Sequence, residues 1–201
     1  MRAQTFLRFL NDHYDHTRAA SLATNTNIRG GWEIWLQVEI AYTFVNLGGS
    51  RLCDREIPYP SGNNNNRYIS YDSRRMLNQA RVEPNGNSAA RCDFYLSRRL
   101  QNDIGIMDDT YVELKCINPN TNNPLNDAWS RFYSDINKID AISGVNNQIN
   151  GVALLATFGT FNVLPEDTTN QYVWDPTNNA VTTMINVNRG NQRRFFIVAA
   201  S

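Results

Sequence analysis

Apolar residues recur along this chain first at helical spacing and then in short alternating runs, and two of those runs carry charge at positions that face away from the core. From Met1 to about Ala23, Phe6, Leu7, Phe9, Leu10 and Tyr14 supply the apolar surface of a predicted amino-terminal helix. After Gly30-Gly31, the stretch from Trp32 to Val45 is apolar almost all the way round, which predicts a largely buried helix that ends at Gly48-Gly49. Arg51 to Tyr59 reads as a first strand running into Pro60, and Ser61 to Asn66 as a glycine- and asparagine-rich loop. Tyr68 to Arg81 mixes aromatic, aliphatic and arginine residues and fits either a hairpin or a helix. Pro84-Asn85-Gly86-Asn87 predicts a turn.

Next come the two charged strands. In Arg91 to Leu96, the period of two puts Cys92, Phe94 and Leu96 on a core face and turns Asp93 the other way. In Tyr111 to Ile117, Val112, Leu114 and Cys116 share the core face while Glu113 and Lys115 stand side by side on the other. The polar connection from Asn102 to Asp109 suits antiparallel pairing, which brings Asp93, Glu113 and Lys115 to one polar face. Downstream, Asn118 to Pro124 reads as a loop and Asp127 as the cap of a helix reaching about Ile142. Its apolar face is Ala128, Trp129, Phe132, Ile136 and Ile139; Arg131, Asp135 and Lys138 form a polar stripe, either a solvated ion-pair face or a source of phosphate contacts. Gly151 to Phe158 is a near-continuous apolar run, the pattern of a strand buried on both faces. Turn formers fill Asn162 to Thr183, and Arg193 to Ala199 closes the chain as a strand.

Length and composition narrow the class. The 201 residues show no composition break, so one domain over 1–201 is expected. Nineteen basic residues balance nineteen acidic ones, which leaves any nucleic-acid affinity to local patches. Most of the positive charge is arginine, whose planar fork suits phosphate. The three cysteines lack metal-ligand spacing and read as small buried hydrophobes in a reducing compartment. No apolar run approaches a bilayer span, and the amino terminus has no long apolar signal region. The expectation is a cytoplasmic protein, or one delivered into a target cell by a non-classical route, with no membrane partner. His13 and His16, flanked by Asp12 and Asp15, read as a solvated helix face ahead of a metal pair.

Two carboxylates and a lysine on one face are a minimal kit for metal-assisted phosphodiester hydrolysis. Hard cations such as magnesium take one or two carboxylates and keep waters and substrate oxygens for the remaining positions. A lysine beside them offsets charge that develops on the phosphoryl group. On a helical wheel Glu39 sits among Trp32, Trp35, Leu36, Tyr42 and Thr43, whereas Glu33 and Gln37 lie one turn apart on another side. Glu39 is therefore read either as half of a buried ion pair or, with preference, as a third acid at the site.

The order of helix with an acid, strand, strand ending near Asp93, strand carrying Glu113-x-Lys115, helix and buried strand resembles the PD-(D/E)xK nuclease superfamily. The resemblance covers about Trp32 to Phe158 and treats the remainder as elaboration. It implies a restriction-endonuclease-like α/β fold with an αβββαβ core, a central mixed sheet flanked by helices. By position, Asp93 looks like the acid of the first half-motif, Glu113 like the second metal ligand, Lys115 like the motif lysine and Glu39 like the acid of the preceding helix. The carbonyl of Leu114 is implied as a further metal ligand, and Asp135 to Ile139 looks like the helix that follows the motif. Cys92 stands where the signature has proline. The implied activity is a magnesium-dependent endonuclease, with manganese as a substitute, acting on DNA that Arg55, Arg91 and Lys138 contact. The implied role is an antibacterial toxin or defence nuclease with a cognate immunity or inhibitor protein, or else a type II restriction enzyme working as a homodimer. The alternatives are a catalytically idle protein of the same fold that binds nucleic acid or a protein partner, and an unrelated α/β protein in which the trio is a structural ion cluster.

Overall fold

Phe6, Leu7, Phe9 and Leu10 all turn inward from α1 (Ala3–His13). The expected single helix from Met1 to Ala23 is broken: Tyr14 takes extended geometry, Asp15 Oδ1 accepts from the backbone N–H of Thr17, and α2 (Thr17–Thr24) begins there. An aspartate bonding the amide two residues ahead satisfies a helix-start donor and ends one element as it opens the next. In this computed structural model the described residues are 2–24, 32–47, 50, 52–62, 67–72, 79–83, 88–97, 109–117, 124–164 and 170–201. The glycine pair at 48–49, the loop residues 63–66, the turn at 84–87, the connections at 102–108 and 118–123, and Arg74, Arg75, Arg98 and Arg99 lie outside them.

Helix α3 (Trp32–Asn46) buries Trp32, Leu36, Ile40 and Phe44, four residues on one stripe at a spacing of four. It is not buried all round, as its composition suggested. Ile34, Val38 and Tyr42 are 54%, 50% and 67% exposed, because α3 lies over one end of the sheet against α1 and α2 and no described element covers its third side. Short β1 (Cys53–Arg55) is all that regular pairing keeps of the first predicted strand. The ambiguous stretch after it forms a hairpin, β2 (Tyr68–Asp72) with β3 (Gln79–Glu83), paired apart from the main sheet. Strands β4 (Phe94–Leu96) and β5 (Thr110–Cys116) pair antiparallel as expected, with Phe94 opposite Val112.

Helix α4 (Pro124–Val145) starts three residues before the expected cap at Asp127, with Pro124 at its first position, where a proline loses no helical hydrogen bond. It crosses over to β6 (Asn150–Gly159), which pairs parallel to β5. Such a parallel pair needs a long crossover, and α4 supplies it. Strands β7 (Gln171–Asp175), β8 (Ala180–Thr183) and β9 (Arg194–Ala200) complete a mixed seven-stranded sheet in the order β1-β4-β5-β6-β9-β7-β8. The protein is thus of mixed α/β class, and no helix of the described residues is long and apolar enough to cross a membrane.

Two cores sandwich this sheet. Val112, Leu114, Val152, Leu154, Ile197 and Ala199 face α1, α2 and α3 on one side. Ala153, Leu155, Phe196 and Val198 face Phe132 and Ile139 of α4 on the other. A third cluster of Tyr59, Ile69, Cys92, Tyr111, Ile142 and Ile149 lies under the hairpin. Helix α4 sits so close to β6 that a Cβ on Gly151 would come 2.4 Å from Ile139 Cγ2, so a side chain is excluded there. That close approach lays the polar stripe of α4 over β5.

Candidate functional site

The alternation read in β5 holds. Val112 and Leu114 enter the core beneath the first three helices, while Glu113 and Lys115 emerge on the α4 side. The alternation read upstream fails at one residue. Cys92 and Phe94 are both buried, but Cys92 joins the cluster under the hairpin and Phe94 the core under α1 to α3. The cause is Asp93. Its backbone N–H donates to the Val112 carbonyl at 3.0 Å, and its Oδ2 accepts from the Leu114 N–H at 2.6 Å. The side chain takes a donor that the next backbone carbonyl of a regular ladder would take, so β4 parts from β5 there. Cys92 pairs instead with Ile57, to whose carbonyl its N–H donates at 3.1 Å.

Asp93, Glu113 and Lys115 are brought together as the sequence suggested. Lys115 Nζ lies 3.7 Å from Asp93 Oδ2 and donates to the Leu114 carbonyl at 3.3 Å. Two residues of α4 join them. Asp135 Oδ2 is 3.7 Å from Lys115 Nζ, and Lys138 Nζ meets Glu113 Oε1 at 2.6 Å. Lys138 also donates to the Arg91 carbonyl at 2.8 Å and sits over the Tyr59 ring, whose hydroxyl donates to Glu113 Oε1 at 2.6 Å. Glu113 is 3% exposed. Asp135 and Lys138 of the polar stripe of α4 are therefore part of a partly enclosed charged cluster.

The acid that α3 contributes is Glu33, not Glu39. Glu33 Oε2 accepts from the Cys116 N–H at 2.9 Å, at the end of β5. Glu39 lies elsewhere on the helix, 3.5 Å from Arg18 of α2, whose side chain is 70% exposed. Six residues of helix put the two carboxylates on different faces. The signal for Glu33 was present in its spacing from Gln37, which is buried and accepts from Arg55 at 2.8 Å. Of the proposed DNA contacts, Arg55 is thus turned to α3, Arg91 donates to the Glu56 carbonyl at 2.5 Å, and Lys138 is inside the cluster.

Burial pushes the Glu113 carboxyl up to about 7 against the pull of Lys138 and the Tyr59 hydroxyl. Burial likewise raises Asp135 to about 6, while Lys115 and Lys138 pull it down. For Lys115 burial disfavours the charge, but the carboxylates of Asp135 and Asp93 outweigh it and hold the ammonium above its ordinary value. Burial also holds the Tyr59 phenol well above its usual range, so at neutral pH it is a donor.

Among the described residues there is no group of three or more His, Cys, Asp or Glu side chains gathered to hold a metal ion by themselves. The chemistry of the donors nevertheless suits a hard cation. Carboxylate oxygens of Asp93 and Asp135 and the Leu114 carbonyl all approach the Lys115 ammonium, and among the described residues Asp135 Oδ2 is buried without a hydrogen-bond partner. No protein-family model, no curated protein and no solved structure matches this chain.

Proposed function

We propose that this protein is a divalent-metal-dependent nuclease that hydrolyses DNA phosphodiester bonds at the cluster of Asp93, Glu113 and Lys115. The observation that carries the reading is the meeting of the Lys115 ammonium with Asp93 Oδ2 and the Leu114 carbonyl, beside a buried glutamate on the same strand face. The order α3, β1, β4, β5, α4, β6 supports a restriction-endonuclease-like core, with the hairpin and the last three strands as additions. Asp93, Glu113 and the Leu114 carbonyl would hold the magnesium or manganese ion, which when bound polarises a phosphoryl oxygen and acidifies a water. Lys115 then stands where it neutralises charge on the phosphoryl group and orients the attacking water. Burial raises the Glu113 carboxyl to about 7 without a metal, so a cation bound there would compete with a proton near neutral pH. Lys138 ties Glu113 in place and has the charge to turn toward a phosphate. The biological role that fits best is a toxin or defence nuclease with a protein inhibitor; a restriction enzyme would work as a homodimer.

Incubation of supercoiled plasmid with the protein and magnesium tests this. Nicking or linearisation is expected, abolished by EDTA and reduced roughly a thousandfold by Glu113→Ala or Lys115→Ala at matched circular dichroism. A second reading, an idle or structural ion cluster, is favoured by the closed set of hydrogen bonds from Lys138 and Tyr59 to Glu113. Intact plasmid with the parent protein, or equal cutting by the substituted forms, decides for it.

A further inference from the structure

We propose that Asp135 of α4 is a metal ligand, and that with Asp93 and the Leu114 carbonyl it binds one divalent cation; the inference rests on the nuclease reading above. Asp135 is 9% exposed, and among the described residues its buried Oδ2 finds no hydrogen-bond partner. A carboxylate oxygen removed from water without hydrogen bonds carries a large desolvation penalty. The contact it makes, 3.7 Å to Lys115 Nζ, is beyond hydrogen-bond range. Lys138 helps it through charge but gives it no hydrogen bond, because that ammonium is bonded to Glu113 and to the Arg91 carbonyl.

The surroundings specify what would satisfy this oxygen. Asp93 Oδ2 lies at the same 3.7 Å from Lys115 Nζ, and the Leu114 carbonyl lies 3.3 Å from it. Two carboxylates from separate elements and one main-chain carbonyl thus all approach the Lys115 ammonium, and a cation beside it would share them. That is a hard-cation donor set, leaving room for the waters that magnesium retains. Charge favours a cation. Among the described residues Asp93, Glu113, Asp135 and Glu33 gather around Lys115 and Lys138, so four acids against two bases leave negative charge in excess wherever the acids are ionised. A divalent ion offsets more of that excess than a monovalent ion does. Asp135 reaches the position because Ile139, one turn further along α4, is pressed onto Gly151 of β6.

Titration of the intact protein with manganese chloride alone, followed by calorimetry and by the change in Tm, tests the assignment without any reaction. The parent is expected to bind one Mn²⁺ and to melt higher with it. Asp135→Asn, which keeps the shape and removes the charge, is expected to bind Mn²⁺ roughly tenfold or more weakly and to lose most of the rise in Tm. Should Asp135→Asn not fold, Asp135→Glu decides, because an added methylene shifts the affinity of a ligand and leaves that of a bystander unchanged. Unchanged Mn²⁺ affinity in the folded variant, beside a parent that binds Mn²⁺ and cuts DNA, overturns the role of Asp135 alone. A parent that neither binds Mn²⁺ nor cuts overturns the nuclease reading with it.

Discussion

On β7 and β9, Asp175 meets Arg194 at 3.2 Å, one acid against one base, while on β5 Glu113 and Lys115 stand among Asp93, Asp135, Lys138 and Glu33. Both clusters bury charge against the same sheet. The first is balanced in charge: Asn178 donates to Asp175 Oδ2 at 2.7 Å, the Arg194 guanidinium covers the Phe161 ring, and Asp175 Oδ1 is buried without a hydrogen-bond partner among the described residues. The second is unbalanced, and burial lifts two of its carboxyls toward neutral pH. A buried pair that cancels its own charge needs no counter-ion, whereas a cluster with surplus carboxylates is stabilised by protons or a cation. That contrast separates a charge-balanced pair from a cluster with surplus negative charge.

The most damaging way to probe it is Asp175→Ala, which leaves Arg194 buried without its acid. Stability in urea is expected to fall by about 3–5 kcal/mol, with plasmid cleavage per folded molecule unchanged. Loss of cleavage in a folded Asp175→Ala protein would place that pair in the site and erase the distinction.

Next comes pH. Glu113 titrates at about 7 in the fold against 4.5 ordinarily, and Asp135 at about 6 against 3.8. In those windows the folded state holds protons that the unfolded chain has released, so stability falls as pH rises. Glu113 contributes about 3 kcal/mol of that loss between pH 4.5 and 7. A Tm series is expected to decline from pH 4.5 to 8, to decline less in Glu113→Gln, where the Asp135 part remains, and to recover at pH 8 with Mn²⁺. A flat parent profile would mean that Lys115 and Lys138 already neutralise the cluster.

Gly151→Ala sharpens the comparison from the scaffold side. Its Cβ would collide with Ile139, so α4 must move, at about 1–3 kcal/mol. Because α4 carries Asp135 and Lys138, cleavage and Mn²⁺ affinity are expected to fall as well, unlike in Asp175→Ala. The smallest effect belongs to Glu39→Gln. Its partner Arg18 is solvent-exposed, so stability should change by less than about 1 kcal/mol, with cleavage intact. Glu33→Gln, by contrast, should weaken Mn²⁺ binding. Equal behaviour of the two variants in titration would remove Glu33 from the cluster.

Much of this arrangement was legible beforehand where a short period fixes orientation. Alternation in β5 separates Glu113 and Lys115 from Val112 and Leu114 whatever packs on them, and the antiparallel partner followed from the short polar connection. The α4 stripe of Arg131, Asp135 and Lys138 was equally visible, yet a solvated helix face has the same spacing as one turned to a site. The misplacement of Glu39 has a similar origin. A wheel drawn on α3 shows which residues share a face and is silent on which face the sheet will meet, particularly when so many are apolar.

Local chemistry in the chain thus determined the helices, the strand that carries the charged pair and the nearness of Asp93 to it, because these depend on side-chain period and on neighbours a few residues apart. Tertiary structure alone decided that α4 would cross β5 with Asp135 and Lys138 facing down. It also decided that Glu33 would reach the end of that strand and that Glu39 would turn to Arg18. Those outcomes follow from how closely α4 can approach Gly151 and from where α3 rests on the sheet, and both are settled by packing between segments far apart in sequence.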